Sequence, residues 1–364
     1  MSNKRASVDM TRRAALKIGA GAVIGAAAAH ANIRAFGAEP AARTPPATSD
    51  SQWSQIRGFN YQPSYGSNGF ELWQKFDAAT IEIELGRGVK FFPKINALRW
   101  WQSWDSFIRD PKRYADNFET TLRIADKYGL TVMPVLFNRW HDLTLDYGGI
   151  YIDHFFPGSD RLYDPNGFDA YLEAIVGGHK DDPRIVAWDL CNEPYWYNRE
   201  RMPPEIVESE TAWLKRLHTK CKELGAKAPI TVGLAGTDSS TINAISDVLS
   251  IHPYWAYSER DADKANYEKG LDDAVAFAQK VKKPLVATEC CWGSLDDKVR
   301  VEIVRYTLAQ LKKRNIGWLV YLLHFSRIAD AHGLEGGPVG EPKNLSFIRA
   351  DGSLRPGHDV FNEF

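Results

Sequence analysis

The chain has 364 residues, 45 lysines and arginines against 46 aspartates and glutamates, and a hydrophobic share of 44%. That share excludes a disordered or collagen-like chain. The charge balance argues against a nucleic-acid binder, which needs a clustered basic excess. Four cysteines are too few for a disulfide scaffold of this length.

The first segment reads as an export signal rather than as structure. Thr11-Arg12-Arg13-Ala14-Ala15-Leu16-Lys17 resembles a twin-arginine motif, an Ala/Gly/Ile/Val run follows over 18–29, and Ala29-His30-Ala31 fits a small-x-small cleavage site. The run is too short and glycine-rich to span a membrane comfortably. Residues 1–31 are therefore expected to be a twin-arginine-type signal peptide, with no stable membrane insertion after cleavage and a periplasmic or extracellular destination. Residues 32–50, including the Pro/Ala/Ser/Thr run from Glu39 to Asp50, read as a disordered linker.

From Gln55 onward short apolar runs alternate with amphipathic helical stretches. Strands are predicted at 56–61, 97–101, 131–137, 185–191, 230–234, 248–253, 285–290 and 317–323. They are short and rich in Val, Ile and Leu, as strands covered on both faces are. Helices are clearest at 114–128, 205–224, 267–282 and 297–314; Gly129 and Gly225 stop two of them and Pro284 opens the following strand. Alternation of this kind implies a parallel sheet, and eight units in one domain over 51–364 imply an α/β fold, the (β/α)8 TIM barrel. A doubly wound sheet would need a phosphate-binding glycine loop after the first strand, and Gly58-Phe59-Asn60-Tyr61-Gln62 is not one.

Barrel chemistry gathers at the carboxyl ends of the strands. Those ends carry Arg99-Trp100-Trp101, Asn138-Arg139-Trp140-His141, Asn192-Glu193-Pro194, His252-Pro253-Tyr254-Trp255 and Glu289-Cys290-Cys291-Trp292. Glu193 and Glu289 each follow an apolar strand, where an ionised carboxylate is costly unless paired or functional. Two facing glutamates supply an acid for a leaving oxygen and a nucleophile for an anomeric carbon; for a retaining reaction their carboxyls lie about 5–5.5 Å apart. A metal centre is not expected, because the chain has no His-Glu-x-x-His and its strand-end histidines are scattered. The cysteines show no Cys-x-x-Cys spacing and are expected to be buried free thiols. No cofactor is implied.

Asn192-Glu193-Pro194 after the fourth strand, Glu289 ending the seventh, Arg99 on the second and His252-x-Tyr254 on the sixth resemble the clan A glycoside hydrolases, most of all the cellulase-like family 5 group. The resemblance covers residues 55 to 364. It implies a catalytic domain in which Glu193 is the acid/base and Glu289 the nucleophile of a retaining β-glycoside hydrolase. Asn192 would hydrogen-bond the sugar 2-hydroxyl, Arg99 would hold Glu289 ionised, and Tyr254 would donate to Glu289. His141 and His252 would line the subsite at the cleaved bond. The implied partner is a carbohydrate of β-glucan or β-mannan type. Without residues 1–31 the chain carries 40 basic and 45 acidic residues, which suits a neutral glycan.

The eighth strand departs from the family pattern, with Trp318 near its start and Tyr321 or His324 left to form the subsite floor. Trp101, Trp140, Trp196, Trp255 and Trp292 are the expected sugar-stacking platforms, and Trp100 and Trp104 share their strand-end placement. Trp188 and Trp213 read as core, and the charge runs 205–210 and 280–283 as solvated helix faces. The competing reading is a carbohydrate-binding barrel without catalysis.

Overall fold

In the computed structural model the described residues are 50–139, 165–195, 203–234, 242–256, 263–330 and 344–364. The expected signal peptide and nearly all of the linker lie outside them, as do Trp140, His141 and Trp196. Eight parallel strands form one sheet: β1 Arg57–Tyr61, β2 Ala97–Trp101, β3 Thr131–Val135, β4 Trp188–Asn192, β5 Ile230–Gly233, β6 Leu249–Ile251, β7 Leu285–Ala287 and β8 Gly317–Val320. β1 pairs with both β2 and β8. The ring closes between β5 and β6, where the Val248 N–H donates to Ile230 O (3.3 Å) and Thr231 Oγ1 donates to Val248 O (2.8 Å). The barrel expected from the alternation is therefore the one observed. Most strands are shorter than their apolar runs, and in β3, β5, β6, β7 and β8 the last residues of the run lie beyond the ladder, toward the mouth.

Among the described residues the helices are α1 Asp50–Trp53, α2 Gly69–Gln74, α3 Ala78–Phe91, α4 Trp104–Phe107, α5 Pro111–Lys127, α6 Pro165–Ile175, α7 Pro204–Glu223, α8 Lys264–Val281 and α9 Asp297–Lys313. Local chemistry sets their ends. Asp110 accepts the Arg113 N–H ahead of α5, with Pro111 in its first turn, and Asp77, Asp263 and Asp296 cap α3, α8 and α9 in the same way. Gly129 and Gly225, at φ 75° and 82°, turn the chain out of α5 and α7 into the next strand. No helix among the described residues is long and apolar enough to cross a membrane.

Strand alternation then divides the barrel into layers. Outward residues such as Phe59, Leu98, Val132, Trp188 and Val320 join the large core beneath the helices. At the amino-terminal end a second cluster holds Trp53, Ile56, Ala97, Met133, Val186, Ala187, Val248, Val286 and Leu319. One pleat higher the side chains are Asn60, Arg99, Asp189, Ser250 and Thr288, all buried and polar. An apolar plug thus sits beneath a polar layer, and the polar layer opens on the carboxyl mouth.

The plug is tight. A Cβ on Gly58 would lie 2.1 Å from Ala97 O and 2.7 Å from Leu319 Cδ2. Gly58→Ala is expected to lower stability by about 1–3 kcal/mol or more, the range for overpacked cores; an unchanged urea midpoint would show that the plug yields.

Candidate active site

Arg99 organises the polar layer. Its guanidinium is fully buried, a state that is costly unless every N–H finds an acceptor. Nε and Nη2 donate to Asp189 Oδ2 (2.9 and 2.8 Å), and Nη2 also to Asn192 Oδ1 (2.8 Å). Nη1 donates to Asn60 Oδ1 (3.1 Å) and Glu289 Oε1 (2.6 Å), and the cation lies 4.7 Å from the Trp101 ring centre. Burial opposes the charge, but Asp189 and Glu289 outweigh it and hold the guanidinium pKa above its ordinary value. Asp189 and Asn192 are three apart and both reach Arg99 because the β4–β5 register shifts between them. Gly233 of β5 must lack a side chain: a Cβ there would stand 2.5 Å from Arg99 Nη2 and 2.8 Å from Asp189 Oδ2.

Two glutamates complete the layer in different surroundings. β7 ends at Ala287 and the chain bends at Thr288 and Glu289, so consecutive side chains both meet the polar cluster. Glu289 takes Arg99 on Oε1 and the Tyr254 hydroxyl on Oε2, the latter at 2.6 Å. Burial, then the charge of Glu289, drives the Tyr254 phenol well above its ordinary pKa and keeps it a donor. Glu193 instead meets His252, whose Nδ1 is 2.8 Å from its Oε1. Burial pushes the Glu193 carboxyl up to about 7 against the opposing pull of Arg99. Burial likewise pushes His252 down to about 4, leaving its ring neutral near pH 7. Carboxylate oxygens of Glu193 and Glu289 lie within 4.8 Å of each other.

The loop after β4 bends through left-handed backbone at Glu193 (φ 46°) and Tyr195 (φ 63°), costly conformations for residues with a Cβ. The Glu193 N–H is held by Gly233 O at 2.6 Å, and the Tyr195 N–H by Glu210 Oε1 at 2.8 Å. Glu210 also accepts Arg139 Nε (2.8 Å) and Nη2 (3.2 Å), and the Arg139 N–H donates to Asn192 O. Both side chains of this ion pair are fully buried. The expectation of a solvated face over 205–210 is thus corrected at Glu210, which lies on the buried stripe of α7 with Ile206, Trp213 and Leu217. Lys283 departs similarly, donating to Ser246 O at 2.6 Å.

The aromatic residues divide. Trp101 lies under Arg99, with Tyr321 edge-on to it at 6.0 Å, and Trp292 stands edge-on to Tyr254 at 5.1 Å. Trp255 packs instead on Tyr306 of α9 at 4.4 Å, with Lys264 of α8 over its ring. Trp100 and Trp104 are packing residues, the first edge-on to Tyr61 and the second against Phe168 of α6. Trp188 and Trp213 are core, as expected, and the four cysteines are buried free thiols. At the end of β8, Tyr321 faces the cluster and donates to Gln62 Oε1 at 3.3 Å. His324 turns away to the buried Glu84 and to Arg87 of α3. The Arg300 guanidinium ties this wall together through the carbonyls of Cys291, Trp292, Tyr321 and Leu345.

Among the described residues, two groups have metal-like spacing. In the first, Arg184 already occupies the centre, pairing with Glu119 at 2.7 Å and Asp182 at 2.6 Å beside His179. The second is Glu193, His252 and Glu289, where the Arg99 cation lies 2.6 Å from Glu289 and opposes a second cation.

Eight parallel strands and an acidic pair at their carboxyl mouth define a (β/α)8 barrel of the glycoside hydrolase type. The model of the family described as cellulase (glycosyl hydrolase family 5) matches residues 90–326, and the chain belongs to that family. A mannan endo-1,4-beta-mannosidase F of Aspergillus clavatus is 34% identical over 184 residues, 49% of this chain and 38% of that protein. The chain spans about two fifths of the length of the curated relatives it matches first. In fold it resembles an exo-beta-1,4-mannosidase from Opitutaceae bacterium strain TAV5 (TM-score 0.63, 17% identity, 84% of this chain and 58% of that one). It also resembles a broad specificity endoglucanase from Clostridum cellulovorans (TM-score 0.61, 15% identity, 86% and 94%).

Asp189, Asn60, Arg139, Glu210 and Thr288 extend the site beyond the candidate catalytic and binding residues assigned from sequence. For the Arg139–Glu210 pair the consequence is measurable. Glu210→Ala would take the carboxylate away from a buried guanidinium and is expected to cost about 3–5 kcal/mol. A loss below about 1 kcal/mol in chemical denaturation would mean that solvent reaches Arg139.

Proposed function

We propose that the chain is an exported retaining β-glycoside hydrolase that cleaves β-linked poly- or oligosaccharides, of β-glucan or β-mannan type, by double displacement. The observation that carries this reading is the spacing of two unlike carboxyls. Oxygens of Glu193 and Glu289 lie within 4.8 Å of one another, which supports a retaining pair, with carboxyls about 5–5.5 Å apart, over an inverting pair at about 6.5–9.5 Å. Family 5 membership and the mannosidase and endoglucanase names of its relatives support the substrate class. The twin-arginine-like segment Thr11–Lys17 is the basis for export.

In the first step a Glu289 oxygen forms a bond to the anomeric carbon while the bond to the leaving oxygen breaks. Glu193 delivers its proton to that oxygen, giving a glycosyl ester of Glu289. In the second step Glu193 takes a proton from water, the water oxygen bonds to the anomeric carbon, and the ester bond breaks to release Glu289. Arg99 and Tyr254 hold Glu289 with one donor on each oxygen and fix its direction of approach. Asn192, held by Arg99 and by donation to Asn138 Oδ1 (2.9 Å), is placed to meet the 2-hydroxyl. Trp101, Trp292 and Tyr321 offer ring surface around the cleaved bond, whereas Trp255 would act only farther out along the rim. Trp140, Trp196 and His141 are carried in this reading on sequence grounds.

Glu193→Ala and Glu289→Ala are each expected to lower kcat on a β-mannan or β-glucan by several orders of magnitude, and a 2-fluoro glycoside should label Glu289, read by peptide mass spectrometry. Full activity in either variant sinks the mechanism; binding of glycans without any hydrolysis would point to the carbohydrate-binding barrel. Because Glu193 must be protonated to act as acid, kcat/KM should fall as pH rises through about 7. A basic limb above pH 9 would contradict that assignment.

A further inference from the structure

We infer that the hydroxyls of Ser250 and Thr288 fix the tautomer of His252, so that its Nδ1–H is directed at Glu193 Oε1 and the proton Glu193 transfers is carried on Oε2. The second half rests on the proposed role of Glu193; the first half stands without it.

The available protons decide the tautomer. Ser250 on β6 and Thr288 just beyond β7 are buried and joined hydroxyl to hydroxyl. Thr288 Oγ1 is 3.0 Å from His252 Nε2, and His252 Nδ1 is 2.8 Å from Glu193 Oε1. A neutral imidazole has one proton and each hydroxyl has one. Among the described residues Ser250 Oγ has no other hydrogen-bonding partner. Were the ring proton on Nε2, it would go to Thr288, Thr288 would turn its own proton to Ser250, and the Ser250 proton would be buried without an acceptor, which is unfavourable. With the ring proton on Nδ1, Ser250 donates to Thr288, Thr288 donates to Nε2, and Nδ1–H donates to Glu193, so that every proton has an acceptor. Thr288 and Ser250 are thus positioning residues that act through the ring.

The consequence is an asymmetry between the two Glu193 oxygens. Oε1 receives a donor that stabilises the anion, and Oε2 has no hydrogen-bonding partner among the described residues. A proton on Oε2 is free to meet a leaving oxygen. The charged and titratable groups around the pair are Arg99 from β2, Asp189 from β4, Tyr254 beyond β6 and Glu289 beyond β7, and all are retained in the variants below.

Selective 15N-histidine labelling with long-range 1H–15N correlation reads which ring nitrogen carries the proton, the His252 signals being those lost in His252→Gln. A protonated Nδ1 and bare Nε2 at pH 7 are expected; a protonated Nε2 overturns the inference. This measurement needs no substrate, so it decides the tautomer even if no glycan is cleaved. Thr288→Val removes the donor to Nε2 and loosens the hold of Nδ1–H on the Glu193 anion. The basic limb of kcat/KM should then move up by about half to one pH unit, with Thr288→Ser restoring it. A uniform fall in kcat with the limb unmoved would mean that the hydroxyl only packs, and would overturn the link to Glu193.

Discussion

A cation with no exposed surface lies at the centre of this barrel, and much of the structure follows from keeping it satisfied. Arg99 of β2 presents five N–H groups in a rigid plane, and β1, β4 and the loop beyond β7 supply the acceptors by direct bonds. Asp189 carries the larger share of the charge balance, since it receives two of these bonds on one oxygen. Its other oxygen takes the N–H groups of Cys191 and Gly233. Glu289 therefore need not neutralise Arg99 alone. It can lie at the edge of the cluster, 6% exposed, with one oxygen on the cation and the other on a phenol. The nucleophile proposed for Glu289 needs this balance: held by charge, but not buried beneath it.

The barrel makes the arrangement affordable by separating apolar from polar layers. Below Arg99 the lumen is filled by buried apolar side chains, among them Trp53, Met133, Val186, Val286 and Leu319, which shield the guanidinium from the amino-terminal end. Above it the strands have ended, and the loops beyond β4, β6 and β7 supply Glu193, Tyr254 and Glu289. The same alternation sends Phe59 and Tyr61 of β1 and Trp100 of β2 outward into the helical layer, where Phe59 stacks on Phe361 at 4.5 Å and Trp100 packs against Trp73. Volume is provided outside the ring and charge inside it.

This division explains what the sequence disclosed. Eight apolar runs separated by helical stretches gave the barrel, since a parallel strand covered on both faces must be apolar over most of its length. Glu193, Glu289, Arg99, Asn192, His252 and Tyr254 were legible because each interrupts or directly follows such a run, and the structure brings all six together. Asp189 was harder to see, because strict alternation would not place it on the same side as Asn192; only the register shift in β4 does so. Glu210 looked like one acid in a charged helical stretch. Its signal was positional, four residues after Ile206 and three before Trp213 on the buried stripe. Trp255, marked by its strand-end place, rests on Tyr306 of α9 beneath Lys264 of α8, because a strand-end aromatic can pack on neighbouring helices as well as on the mouth. Ser250 and Thr288 carried no charge to mark them.

The two glutamates also show why residue type alone could not assign their roles. Both are mostly buried and both follow apolar strands. What separates them is the company each keeps: a guanidinium and a phenolic donor for Glu289, against a neutral imidazole and apolar burial for Glu193. Tyr254 and His252 lie two residues apart after one strand, and each serves a different carboxyl. The His252-x-Tyr254 spacing therefore sets the difference between the carboxyls from a single element. Any shift of β6 relative to β4 and β7 would disturb both at once. The buried Ser250–Thr288 contact, which joins β6 to the end of β7 beneath the site, is placed to resist that shift.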